Sequence, residues 1–215
     1  MKYKLLYKAS VVLTLFLAGN YAQADLASDV DQLQKRWAEV NYQLEGDSQL
    51  SAFEDLIAEA DRVTTDNPDQ ASAWIWSGII KSTFAGAKGG LGALSLAKAS
   101  KRDLEQAMDL DAEALDGSAY TSLGTLYYSV PGWPVGFGND DKAEELLLKA
   151  LDLSPDAIDN NYFYASFLID EKRYREAYDY MVRAQHAPAR PGRSVADAGR
   201  QDEIRQALVD IQSKR

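Results

Sequence analysis

The chain has 215 residues, 46% of them hydrophobic, and a formal net charge of -10 at pH 7. A chain this acidic is poorly suited to bind nucleic acid or an anionic membrane through its overall electrostatics, so neither is an expected partner. The sequence contains no cysteine. We therefore expect no disulfide, no thiol chemistry and no lipid anchor of the bacterial lipoprotein kind, and stability must come from packing alone.

The first residues are typical of a secretory signal. Three lysines lie among the first eight residues, an apolar run follows at 9–18, and the small-residue site is Ala22-Gln23-Ala24. We expect cleavage before Asp25, so that 1–24 are the signal and 25–215 form one helical-repeat domain. The apolar run is well short of the roughly 20 residues of a membrane-spanning helix, so no stable membrane anchor is predicted. The expected location is the periplasm, and the formal charge of the mature chain is -13.

Internal repeats are the main signal of the fold. Four predicted helical units end at Pro68, Ala112, Pro155 and Pro188. These ends are 44, 43 and 33 residues apart, against the period of about 34 residues of a tetratricopeptide array. One unit is therefore close to standard length, and two are enlarged. Small residues should let the two helices of a pair approach closely, and we expect Gly124 and Ala143 to meet.

The two clearest units place aromatic, small and aliphatic residues in one order. The first carries Tyr120, Leu123, Gly124, Tyr127, Ala143, Leu147, Ala150 and Pro155. The second carries Tyr164, Ala165, Leu168, Tyr174, Ala177, Met181, Ala184 and Pro188. This order resembles the tetratricopeptide repeat (TPR) superfamily, most clearly over 73–188. The resemblance implies an all-α solenoid of antiparallel, degenerate TPR helix pairs.

The two enlargements both fall between the helices of a pair. The first, 85–97, contains four glycines, and we expect a long interhelical loop or lid there. A phosphate-binding loop is the alternative, but the glycine spacing matches neither GxxxxGK[ST] nor GxGxxG after a strand. The second, 129–141, reads SVPGWPVGFGNDD, and its two prolines cannot continue a helix. Asn139 or Asp140 should cap the helix that follows.

Two further helices are predicted at the ends of the repeat region. One runs from about Leu26 to Leu44 and should be the first helix of the first pair. The other opens at Ser194-x-x-Asp197, which resembles a capping box with Asp in place of Glu. Its apolar face carries Ile204, Leu208 and Ile211. We expect this C-terminal helix to cap the open end of a stack of about nine helices.

A second resemblance is to the T component of tripartite ATP-independent periplasmic (TRAP) transporters. It rests on 138–143, GNDDKA, where a glycine-containing loop precedes a Lys-Ala helix. The resemblance implies an accessory subunit of a solute uptake system that handles a small apolar or organic-acid ligand. Members of that family are often lipid-anchored, and the missing cysteine departs from this pattern.

Five aromatic side chains are the candidate binding residues. Trp133 and Phe137 lie on the second enlargement, where they could fill a partner's pocket or fold back onto their own core. Trp76, Tyr128 and Tyr162 lie on the first helices of successive pairs, which line the concave face of a helical stack. Their neighbours Trp74, Tyr120 and Tyr164 are predicted core residues. Burial in the core remains the competing interpretation for all of the helical aromatics.

No motif supplies both a nucleophile and a base, and His186 is the only histidine. We therefore expect no catalytic residue, no metal and no cofactor. The sequence predicts an exported helical-repeat binding or scaffold protein. It should recognise a protein, a peptide or a small ligand through a concave aromatic groove and the Trp133 loop. The alternatives are the transporter accessory subunit and an enzyme of unknown class, and the oligomeric state stays open.

Overall fold

Nine helices form the part of the chain that the computed structural model describes, residues 26–214 apart from the side chain of Leu91. The first helix, α1, spans 26–43. The others are α2 (Gly46–Asp66), α3 (Ala71–Lys88), α4 (Gly90–Asp111), α5 (Ala114–Ser129), α6 (Asp140–Leu153), α7 (Ile158–Asp170), α8 (Tyr174–His186) and α9 (Ser194–Gln212). The secretory signal predicted for 1–24 and its cleavage site lie outside these described residues. Across the described helices, none has both the length and the apolarity of a membrane span.

The helices pack in successive pairs, as the repeat pattern predicts. The closest packing joins α3 with α4, α5 with α6, and α7 with α8. The first helices of the pairs also contact one another, α3 with α5 and α5 with α7, and so form a common inner wall. The second helices of the four pairs end at Asp66, Asp111, Leu153 and His186, each within two residues of a predicted unit end. The all-α solenoid of TPR-like helix pairs is therefore confirmed.

Glycines permit the close approach of the paired helices. A Cβ added to Gly124 would stand 2.8 Å from Cγ of Leu147 and 3.1 Å from the backbone oxygen of Ala143. A Cβ added to Gly78 would stand 2.6 Å from Cγ of Leu104 on α4. Ordinary side chains do not fit at such distances, so the predicted meeting of Gly124 and Ala143 is confirmed.

The first enlargement is not a loop. α3 continues to Lys88 and α4 begins at Gly90, so that only Gly89 separates the two helices. Gly89 and Gly90 have φ of 60° and 61°, a left-handed backbone that glycine adopts without steric cost. These two residues reverse the direction of the chain within one tight turn, and the alanines and leucines on either side belong to α3 and α4. The prediction of a long loop or lid over 85–97 is therefore wrong.

The second enlargement is an ordered loop, 130–139, between α5 and α6. Its two ends are joined by backbone hydrogen bonds, from Gly138 N to Pro131 O at 3.0 Å and from Asn139 N to Tyr127 O at 2.8 Å. Asn139 caps α6, because its Oδ1 accepts from Lys142 N at 2.8 Å. Both the loop and the cap agree with the sequence prediction.

The C-terminal helix α9 joins the two ends of the stack. Ile204, Leu208 and Ile211 pack into the core of the last pair with Met181. The first half of α9 instead reaches the opposite end of the molecule, where Ala196 lies in the core of the first pair. The helix therefore caps the stack as expected and also closes it into a continuous circuit of packed helices.

Candidate functional site

A large cavity lies near the C-terminal ends of the first helices. Its volume is about 560 Å³. The apolar lining includes Trp37, Leu94, Leu126, Val130, Val135 and Phe163, and this space is termed the apolar cavity. Its polar lining includes Ser82, Thr83, Thr125, Arg200 and Glu203. α1, α3, α4, α5, α7 and α9 all contribute to its walls, and α9 completes the cavity with Arg200 and Glu203.

The floor of the apolar cavity is organised by Arg200 of α9. Its side chain is buried, and its guanidinium carbon stands 4.1 Å and 4.6 Å from the ring centroids of Tyr162 and Phe163. Arg200 Nε donates to Asp159 Oδ1 at 2.9 Å, and Nη1 donates to Glu203. Burial opposes the positive charge, but Asp159 and the other negative groups nearby raise the pKa of Arg200. Arg200 therefore stays charged with its carboxylate partners in place.

Two smaller spaces continue from the apolar cavity along the axis of the stack. The inner chamber, about 120 Å³, shares Trp37, Ser82, Thr83, Thr125, Phe163 and Arg200 with the apolar cavity. The outer chamber, about 350 Å³, shares Trp76, Ser118, Asp159, Asn160, Arg190 and Arg193 with the inner chamber. The three spaces therefore adjoin in series, with the inner chamber in the middle.

A tight turn before α9 carries arginines to the inner chamber. Arg193 N donates to Arg190 O across Pro191-Gly192, and Gly192 has φ of 74°. Proline followed by a glycine of positive φ is the arrangement of a type II turn. Asp197 accepts from the backbone N and from Nε of Arg190 at 2.8 Å and 2.7 Å. The capping-box prediction is therefore wrong, because Asp197 anchors this turn while Arg193 occupies the N-cap position.

Asp159 links the turn to the floor of the cavity. Its Oδ2 accepts from Arg190 Nη1 at 2.5 Å, and its Oδ1 accepts from Arg200. Burial would raise the pKa of this carboxyl, but the charges of Arg200 and Arg190 outweigh burial and lower it. The ion pairs thus fix α9 to the start of α7.

The structure separates the two aromatics of the second enlargement. Trp133 projects outward with 91% of its surface exposed. Phe137 folds back and packs edge-on against Tyr127, with ring centroids 5.7 Å apart. The loop therefore combines one side chain packed on its own protein with one presented to solvent.

The other three candidate residues divide between the axial spaces and the core. Trp76 lines the inner and outer chambers but is only 4% exposed, because it packs on Trp37 and the Arg193 guanidinium lies 5.1 Å from its ring centroid. Tyr162 lines the apolar cavity beneath Arg200. Tyr128 packs on Phe167 instead, outside these spaces, and burial raises its pKa. Two of the three therefore line the axial spaces, Trp76 in the two chambers and Tyr162 in the apolar cavity.

Sequence reasoning missed the contribution of the C-terminal segment to the site. Arg190, Arg193 and Arg200 all line the inner chamber. The available signal was three arginines around a Pro-Gly turn in an otherwise acidic chain. Across residues 26–214, no group of three or more histidine or carboxylate side chains stands close enough together to hold a metal ion.

The fold and this site define a helical-repeat protein whose TPR-like pairs enclose an axial cavity. Among solved structures, the chain is similar to YrrB, described as a TPR protein with an unusual peptide-binding site. The TM-score is 0.42 at 18% identity, over 77% of this chain and 81% of that one. It is also similar to Pseudomonas aeruginosa PilF, with a TM-score of 0.36 at 14% identity over 85% and 90% of the two chains. No protein-family model and no curated protein matches the sequence.

Proposed function

We propose that this is a binding protein that takes a mainly apolar ligand into the apolar cavity. The observation that carries the proposal is a cavity of about 560 Å³ with a largely apolar wall and a few polar groups at its floor. Small-molecule sites commonly measure roughly 300–1,000 Å³ and have this composition. The ligand would lie against Leu94, Val130 and Phe163.

The position of α9 favours a small ligand over a peptide along the concave wall. Arg193 covers Trp76, and Arg200 covers Tyr162. A peptide laid across these aromatics would have to displace α9 and break the ion pairs of Asp159. A small ligand needs only the cavity that α9 helps to form.

A fluorescence titration tests the proposal. N-phenyl-1-naphthylamine, an uncharged apolar dye, should bind the wild-type chain saturably. Leu94→Trp fills the cavity from α4 and should weaken dye binding at least tenfold. Leu148→Trp changes a leucine that is 40% exposed on α6, outside the cavity, and should leave binding unchanged. Equal binding by all three proteins would refute the proposal.

We further propose that the Trp133 loop docks on a protein partner. Trp133 is 91% and Val135 64% exposed on a loop whose ends are tied by backbone hydrogen bonds. Exposed tryptophan on a fixed backbone is a common anchor of protein interfaces. Val135 also lines the apolar cavity, so a partner on this loop would sit beside the ligand. This arrangement supports the alternative of an accessory subunit that delivers a solute to a transport partner.

Site-specific photo-crosslinking at the loop tests the docking proposal. A photoreactive side chain at position 133 should crosslink one protein of the cell envelope, and the same group at Leu148 should not. Trp133→Ala should abolish co-purification of that protein, and Phe137→Ala should reduce it less. Identical co-purification with wild type and Trp133→Ala would refute docking through this loop.

We also propose that the protein works in the periplasm after removal of 1–24. The supporting pattern is the lysine-rich start, the apolar run and the site Ala22-Gln23-Ala24. N-terminal sequencing of protein released by osmotic shock should begin at Asp25. Retention of the full-length chain in the cytoplasmic fraction would refute export.

A further inference from the structure

Two hydrogen-bond donors at the inner chamber have no partner among the described residues. Trp76 Nε1 is buried and makes no hydrogen bond, and the same holds for Arg193 Nε. Both residues line the inner chamber, and the Arg193 guanidinium lies over the Trp76 ring. A buried donor without an acceptor costs about 1–3 kcal/mol, so two in one chamber point to a missing acceptor.

Arg193 also differs from the neighbouring arginines in its charge environment. Arg190 binds Asp159 and Asp197, and Arg200 binds Asp159 and Glu203. No salt bridge within residues 26–214 involves Arg193. Burial and the charge of Arg190 lower the pKa of Arg193, although Asp159 and Asp197 oppose the shift. The ion pairs of the neighbours therefore leave one positive charge uncompensated at the chamber wall.

We propose that the inner chamber is an anion site in which Arg193 and the Trp76 indole N–H hold a small oxyanion, such as a carboxylate. A carboxylate accepts hydrogen bonds at both oxygens, so one anion can accept from the guanidinium and from the indole N–H that line the same chamber. Ser122 adds a hydroxyl to the lining.

A structural role for the Arg193–Trp76 stack is the competing explanation, and anion titration separates the two. The probe is sodium acetate, with sodium phosphate as a second anion. Acetamide, which has a similar size and shape to acetate but no charge, is the control. The readout is the indole ¹H–¹⁵N signal of Trp76, assigned by its absence in Trp76→Phe. Acetate or phosphate should shift this signal saturably, and acetamide should not. The anion that binds more tightly identifies the oxyanion class.

Matched arginine variants locate the site. Arg193→Gln should weaken anion binding at least tenfold, whereas Arg175→Gln, an exposed position on α8, should leave it unchanged. A shift that does not saturate in the wild type, or that is the same in Arg193→Gln, would overturn the inference. If Arg193→Gln fails to fold, the anion-induced rise of Tm is compared in wild type and Trp76→Phe. The rise should be smaller in Trp76→Phe, and an equal rise would overturn the inference.

The anion site goes beyond the proposed ligand cavity, and its test is independent. Leu94→Trp should block the apolar dye and leave acetate binding intact. Arg193→Gln should weaken acetate binding and leave dye binding intact. Failure of dye binding alone would refute the proposed function, and failure of acetate binding alone would refute the anion site.

Discussion

Gly199 of α9 lies directly against the ring of Tyr42 at the end of α1, and this contact closes the stack. A Cβ added to Gly199 would stand 2.3 Å from Cδ1 of Tyr42. Gly199→Ala should therefore lower the free energy of unfolding by about 1–3 kcal/mol, despite the better helix propensity of alanine. Urea unfolding followed by circular dichroism measures the change.

The Tyr42→Ala background supplies the control for this contact. With the ring removed, Gly199→Ala should be neutral or stabilising, because only the helix propensity remains. Equal destabilisation in both backgrounds would show that Gly199 and Tyr42 do not determine the closure.

Asp159 should be the most important single carboxylate for the position of α9. Asp159→Asn removes the negative charge that both Arg190 and Arg200 bind, so we expect the free energy of unfolding to fall by about 2–4 kcal/mol. This is the lower part of the range for buried ion pairs, because the Asp159 side chain is 31% exposed. Hydrogen exchange of α9 amides should accelerate in the variant. Unchanged protection of α9 would contradict the role assigned to this cluster.

The same carboxylate gives a pH dependence with a definite sign. The folded-state pKa of Asp159 is lowered below its ordinary value, so its stabilising contribution is complete above the unfolded pKa of about 4. The contribution is lost as the pH falls from about 4 through the folded value. The stability difference between wild type and Asp159→Asn should therefore be constant from pH 7 to 5 and shrink below pH 4. A difference that grows on acidification would contradict this.

Two glycines of the first enlargement should respond oppositely to alanine. Gly89 has φ of 60° and ψ of -173°, a backbone conformation essentially confined to glycine, so an alanine costs about 1–3 kcal/mol even though no atom obstructs its Cβ. Gly86 lies inside α3 with open space around it, so Gly86→Ala should stabilise by up to about 1 kcal/mol. Thermal unfolding of the two variants distinguishes the observed helical turn from a long loop, which would tolerate both changes equally.

The two aromatics of the second enlargement should separate stability from docking. Trp133→Ala should change Tm very little, because the side chain is almost fully exposed. Phe137→Ala removes a ring packed on Tyr127 and should cost about 1–3 kcal/mol. A large loss of stability in Trp133→Ala would mean that this residue belongs to the core.

Local patterns predicted the helix pairs well but not the closure of the stack. The close contact of Gly124 with α6, the Asn139 cap and the ends of the second helices all follow from residues near one another in sequence. The glycine content of 85–97 predicts a loop, but the positive φ of Gly89 and Gly90 goes with the close packing of α3 on α4, which composition does not show. The site depends on Gly199 meeting Tyr42 across more than 150 residues, a long-range contact that no periodicity encodes.

The burial of the aromatic side chains also depends on contacts that the helix pattern does not predict. Tyr164 lies in the core as predicted, whereas Trp74 is less buried than Trp76, the reverse of the prediction for these two tryptophans. Trp76 lies in the core of the first pair against Trp37, with Arg193 of the turn before α9 over its ring, whereas the indole of Trp74 donates to Pro68 O at 2.9 Å.

The most direct test of the proposed function is a crystal structure of the protein soaked with 2-bromonaphthalene. An anomalous bromine peak should lie inside the apolar cavity, in contact with Leu94, Val130 and Phe163, and should vanish in Leu94→Trp. Bromine bound only on the outer surface, or a cavity that stays free of probe at saturation, would contradict ligand binding at this site.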